Sequence, residues 1–194
     1  SACFGLLSFA AEADVRVKRG ASFLDIWITG EITSKDVNAI SAIEHEIAAK
    51  KVLVWLSSAG GNVDAAMKIG RVIRKNDGYT SVATSEKCYS SCALIFIAGV
   101  YRVNFGGLGL HRPNLASAPQ IRATLEQQVP SKFAAIRDYV NEMGITDNFY
   151  QKMVNTEPSK MTTYDYDTYT KLIPLQDPLY QEMQISKDAR TYAV

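Results

Sequence analysis

The stretch SFLDIWITG, residues 22–30, sets Phe23, Ile26 and Ile28 among polar positions and stops at Gly30, a pattern that predicts a β-strand. Thr33 with Asp36 three residues on makes an approximate capping box. Val37, Ile40, Ile43 and Ile47 then recur at helical spacing and predict an amphipathic helix over 34–50. KVLVWLS, residues 51–57, is nearly continuous in its apolar character, as a strand buried on both faces would be. SAGGN is expected as the turn after it. VDAAMKIGRVIRKN, residues 63–76, predicts a second helix with a basic outer face, stopped at Gly78. YTSVAT, residues 79–84, predicts a third strand.

Next comes CYSSCALIFIAG, residues 88–99, expected as a short polar link running into an apolar helix over 91–98. A strand at YRVNF, a turn at Gly106-Gly107 and a short strand LGLH ending on His111 follow. Strands and helices alternate, which implies parallel pairing with right-handed crossovers and an α/β class. From RPNLASAPQ onward the texture changes to an exposed loop. Helices near 118–129 and 131–143 are expected beyond it, separated by a break at Pro130. TDNFYQKMV predicts another short helix capped by Thr146, and the tail from 155 shows no clear period.

The chain's 194 residues suffice for one domain with a sizeable core. A formal net charge of +1 gives no general electrostatic reason to expect a nucleic acid or an anionic membrane as partner. No apolar run approaches the ~20 residues that span a bilayer. The first stretch, SACFGLLSFAAEA, is short and apolar and ends in an A-x-A pattern at Ala11, Glu12 and Ala13. It is similar to the end of a secretory signal peptide; an N-terminal strand or helix packed on the domain is the plainer alternative. SAC could also close a lipobox with Cys3 as acceptor. Of the three cysteines, Cys88 and Cys92 pair if the compartment is oxidising and leave Cys3 unmatched. In a reducing compartment they would be two small buried residues. With two histidines and no C-x-x-C, a metal site is not expected.

Three places are candidates for chemistry. The glycines of SSAGGNV would let backbone N–H groups point at a bound oxygen, although a plain strand-to-helix turn uses glycine equally. Ser90 stands at the start of the apolar helix, where the following amides favour a developing anion. An ordinary helix cap by Ser90 or Ser91, worth ~1 kcal/mol, is the competing explanation. His111 ends a strand at the sheet edge where open α/β folds bind ligands. His45, beside Glu44 and Glu46, is a solvated surface residue.

Together, SSAGGNVDAAMKIGRVIR, CYSSCALIFIAG and GLGLHRP resemble the Clp protease proteolytic subunit and its relatives in the crotonase-like superfamily. The likeness covers roughly residues 22–115, with a weaker echo to about 175. It implies repeated β-β-α units with a parallel sheet and C-terminal helices, with one domain over 21–194 after an N-terminal segment 1–20 that includes any signal remnant. The distance from Ser90 to Gly99 matches the family's serine and its following AG pair, which selects Ser90 over Ser91. The resemblance thus makes Ser90 the nucleophile and His111 its general base, with the amides of Gly61 and Ser91 as oxyanion donors. The family's aspartate falls at NTEPSKM, where Pro158 takes the equivalent place; Glu157 or Asn155 is left to orient His111. The form C-x-S-x-C around Ser90 looks most like an exported, periplasmic branch, in which a Cys88–Cys92 bridge would clamp the serine loop.

The resemblance implies a serine-type peptidase acting on peptide or protein substrates without a cofactor, and a homo-oligomer. Two other readings stand beside it. A non-catalytic binding or assembly module would keep the fold and lack the acid, and an acyl-CoA enzyme of crotonase type would share the oxyanion hole. A serine–lysine peptidase is a variant of the first reading, with no lysine spacing to support it.

Overall fold

The computed structural model describes residues 14–113 and 122–176. The expectations placed on Cys3, on Ala11–Ala13 and on the start of the helix near 118 lie outside the described residues. The elements run β1 (Asp14–Arg19), β2 (Phe23–Ile32), α1 (Ser34–Ala42), α2 (Glu44–Ala49), β3 (Lys51–Gly61), α3 (Val63–Lys75) and β4 (Tyr79–Val82). After these come β5 (Lys87–Tyr89), α4 (Ser91–Ala98), β6 (Tyr101–Asn104), β7 (Gly107–Leu110), α5 (Arg122–Glu142), α6 (Asp147–Asn155), β8 (Thr162–Tyr164) and α7 (Tyr166–Tyr169). The class is α/β, as the alternation predicts.

The eight strands form one sheet that divides along β3. The first half of β3, at Leu53–Trp55, pairs in parallel with β4, which continues in parallel to β6. Its far half turns to β5, where Ser58 faces Cys88, and the sheet continues through β7 to the antiparallel β8. On its other edge β3 pairs in parallel with β2, and β1 closes that side antiparallel. Because β4 and β5 leave the same edge of β3 at different heights, a crevice opens around the second half of β3. The candidate site lies there.

Alternation explains the inner layer. Leu24, Ile26 and Ile28 of β2 and Val52, Val54 and Leu56 of β3 are all buried and point to one face. α3 turns Ala66, Ile69, Gly70 and Ile73, spaced by three or four residues, into the core. α4 lies between α3 and the sheet, and all eight of its residues are buried. An apolar helix without a polar face can be stable only in such a place. Each of Leu94, Ile95, Phe96 and Ile97 contributes roughly 1.5–3 kcal/mol by leaving water.

Several expectations are corrected. The helix expected over 34–50 is two helices that meet at Ile43, which ends α1 and starts α2. SAGGN is largely strand, since Glu31 faces Gly60 and Ile32 faces Gly61 in the ladder with β2. The link before Ser90 includes β5. Pro130 does not break the chain into two helices: α5 runs through it. The proline removes one helical N–H, but Ile136, Tyr139, Val140 and Met143 beyond it are buried in the core and hold the helix in place. The tail contains β8 and α7, where Asp165 and Thr168 form a capping box.

Candidate active site

Ser90 is the single residue between β5 and α4, and its backbone has φ 57° and ψ −125°. Positive φ is unfavourable for a residue with a Cβ, and such strain persists only where neighbours impose it. Here they do. The Ser90 amide donates to the Gly109 carbonyl at 2.9 Å, and Ala93 donates to the Ser90 carbonyl at 3.0 Å. Cys88 and Cys92, both fully buried, are joined by a disulfide that spans the turn, as the oxidising case expected. The hydroxyl of Ser90 makes no capping bond to α4. Ser90 therefore occupies the capping position without spending its side chain on the helix, and a sharp strand-to-helix turn presents its half-buried hydroxyl.

The glycine pair abuts this turn. Gly60 has φ +109°, and a Cβ on it would stand 2.6 Å from the Ser90 Cβ and 2.9 Å from the Tyr89 carbonyl oxygen. Gly61 has φ +144°, and a Cβ there would meet the Ile32 carbonyl oxygen at 2.3 Å. Only glycine lets β3 pass between β2 and the Ser90 turn at this distance. The Ser58 hydroxyl accepts from the Gly60 amide at 3.0 Å and donates to the Gly30 carbonyl, so it fixes the turn from below.

His111 follows β7 directly. Tyr89 faces Gly109 in the β5–β7 ladder, so His111 stands two residues past the carbonyl that binds Ser90. Burial holds the imidazole pKa below its ordinary value, with a backbone interaction at Arg112 opposing the shift. The ring is therefore neutral near pH 7, the form that accepts a proton. Its Nδ1 is buried and has no hydrogen-bond partner among the described residues.

The segment 155–157 is tied by its backbone to the residue after this histidine, since the Arg112 amide donates to the Thr156 carbonyl at 2.8 Å. Asn155 itself bonds to Gln151 at 3.4 Å, and Glu157 pairs with Lys160 at 3.1 Å on the surface. Ser91, 2% exposed, buries a hydroxyl that likewise lacks a partner.

A cleft of about 730 Å³ opens beside the turn, with Glu31, Ser58, Gly60, Gly61, Glu86 and Tyr89 among its lining residues. Sequence reading missed Ser58, Glu86 and Tyr89, because their importance arises from strands that pair across the crevice. Among the described residues no helix is long and apolar enough to cross a membrane.

Comparison with known proteins bears on the fold. No family model matches the chain, and no curated protein matches it by sequence. Among solved structures it is similar to the 1510-N membrane-bound stomatin-specific protease, solved as a serine-to-alanine mutant, with a TM-score of 0.58 at 16% identity. The match covers 80% of this chain and 77% of the other. At that identity the likeness establishes architecture alone, and the chain shares the fold of this protease.

Proposed function

We propose that the chain is a serine hydrolase, most specifically a peptidase, with Ser90 as nucleophile and His111 as general base. The observation that carries this reading is the strained Ser90 turn, hydrogen-bonded to Gly109 two residues before a histidine kept neutral by burial. The Gly60 amide is committed to Ser58 and the Asn62 amide to Ile32. The amide between them, on Gly61, is assigned to the oxyanion together with that of Ser91 at the start of α4. Each such donor typically contributes about 2.7–4 kcal/mol to an acyl-transfer transition state. In the reaction Ser90 attacks a peptide carbonyl while His111 takes its proton and returns it to the leaving amine. Asn155 or Glu157 would orient the ring, after release from Gln151 or Lys160. The fold of the protease neighbour supports the class of reaction, and the buried disulfide supports action outside the cytoplasm, in a periplasmic or other exported setting. Self-association into a homo-oligomer belongs to the same proposal; sedimentation showing only monomer at micromolar concentration would contradict it.

The unpartnered Nδ1 of His111 favours a second reading, a binding or assembly module that keeps the fold without the chemistry. Labelling with a fluorophosphonate probe under non-reducing conditions separates the two. The hydrolase reading expects labelling of the wild type that disappears in Ser90→Ala and His111→Ala. A folded wild type that takes no label is the result expected of the binding module.

A further inference from the structure

The cleft beside Ser90 carries two carboxylates. Glu31 follows the irregularity in the β2–β3 register and faces Gly60, and its Cγ lies 3.0 Å from where a Gly61 Cβ would be. Glu86 sits just ahead of β5. Its backbone is fixed at both ends, by its amide to the Ala83 carbonyl at 3.0 Å and by the Gly107 amide to its own carbonyl at 2.9 Å. Its side chain is fixed as well, because the Ser57 hydroxyl donates to one carboxylate oxygen. That bond leaves the rest of the acceptor capacity of the carboxylate open. Neither Glu31 nor Glu86 has an ion-pair partner among the described residues. The one cation on the lining, Lys87, lies 6.0 Å from the centre of the Tyr89 ring.

We infer that this cleft selects a substrate with a lysine or arginine side chain beside the scissile bond, and that Glu86 and Glu31 determine the preference. The inference rests on the hydrolase reading of Ser90. A long cationic side chain fits the chemistry of the lining. Its aliphatic stem can lie along Ala59 and the ring of Tyr89, and its head meets carboxylates held by β2, β3 and the turn before β5. Glu86, set in place by Ser57, costs little to order on binding, unlike a free surface glutamate.

The test uses fluorogenic peptides that differ only in the residue before the cleaved bond: Lys, Arg, Leu or Glu. Lys and Arg reporters should be cleaved with about tenfold higher kcat/KM than Leu, with Glu the poorest. Glu86→Gln and Glu31→Gln should each reduce that preference by about fivefold, the upper range for a solvated pair. Glu86→Lys should invert it, and added salt should shrink it. In parallel, fluorescent Lys, Leu and Glu peptides are titrated against Ser90→Ala by anisotropy, which reads the cleft without cleavage. Fluorophosphonate labelling of the wild type reports on the hydrolase reading by itself. If label and cleavage both fail, the anisotropy order alone decides charge selection. Equal binding of the three peptides, a preference for Leu or Glu, or a Lys preference untouched by both glutamine variants would overturn the inference.

Discussion

The amide of Ser90 donates to the carbonyl of Gly109 at 2.9 Å, and this main-chain bond ties the candidate nucleophile to the strand that ends in His111. The geometry of the pair is thus set by the β5–β7 ladder, in which Tyr89 faces Gly109, rather than by the side chains themselves. Gly60 presses on the same turn from β3.

Substitution Gly60→Ala follows from that contact. The new Cβ would lie 2.6 Å from the Ser90 Cβ and 2.9 Å from a backbone carbonyl that cannot move aside, on a residue with φ +109°. Strain of about 1–3 kcal/mol is expected in stability. Displacement of the serine relative to its oxyanion donors should slow fluorophosphonate labelling by about 100-fold. A folded Gly60→Ala protein that labels at the wild-type rate would show that the turn tolerates the intrusion.

Much of the frame was legible in the sequence, and the failures have physical causes. The strand at KVLVWLS and the helix VDAAMKIGRVIRKN stand where their periods put them, because burial on one or both faces writes itself into the spacing of apolar residues. β5 escapes notice because three residues that pair on two sides need no period of their own. Pro130 misleads because a local rule about one missing N–H is overridden by the buried face of Tyr139 and Met143 farther along. Ser90 and His111 could be picked out as candidates by motif. The cleft could not, since Glu31, Ser57 and Glu86 meet only after β2, β3 and the turn before β5 come together.

The disulfide makes a separable prediction. Its two cysteines are four residues apart, so chain entropy assigns the bridge only about 2 kcal/mol. For a domain of this size that corresponds to roughly 4–8 °C in Tm. Its larger effect should be local, because it spans Ser90, which is held at positive φ. Cys88→Ala/Cys92→Ala is expected to remain folded by circular dichroism and to label at least tenfold more slowly than wild type. Equal labelling rates would mean that the ladder bond to Gly109 suffices to hold the turn.

The pH dependence has a definite sign. Burial lowers the pKa of His111, so its neutral form persists to a pH below the ordinary imidazole value of about 6.5. A general base works when neutral, so the labelling rate should rise with pH and level off with a midpoint below that value. Stability is linked in the same direction. The unfolded chain binds the proton first, so the contribution of His111 is present above its ordinary pKa and is lost as pH falls to the lowered value. A labelling midpoint at or above the ordinary value, in otherwise native protein, would contradict a desolvated base.

The packing of α3 on α5 supplies the last prediction. Tyr139 is fully buried; its hydroxyl donates to the Leu94 carbonyl at 2.8 Å, and the Arg71 guanidinium lies 5.2 Å from its ring centre. Burial pushes its phenol well above the ordinary range, so it remains a donor at every accessible pH. Gly70 is the opposing surface: a Cβ there would stand 1.8 Å from the Tyr139 oxygen. Gly70→Ala gains about 0.5–1 kcal/mol in helix propensity but forces a collision in a close-packed core, which typically costs 1–3 kcal/mol. Collision should win, with a net loss of stability in denaturant titration. Tyr139→Phe alone should cost about 1 kcal/mol by leaving the Leu94 carbonyl without that donor. The double variant removes the colliding atom, with the ring carbon that bore it 3.0 Å from the new methyl. It should therefore be less destabilised than the sum of the single variants, with a coupling energy above about 0.5 kcal/mol. Strict additivity would mean that α3 and α5 move apart to absorb the methyl group rather than meeting it at Tyr139.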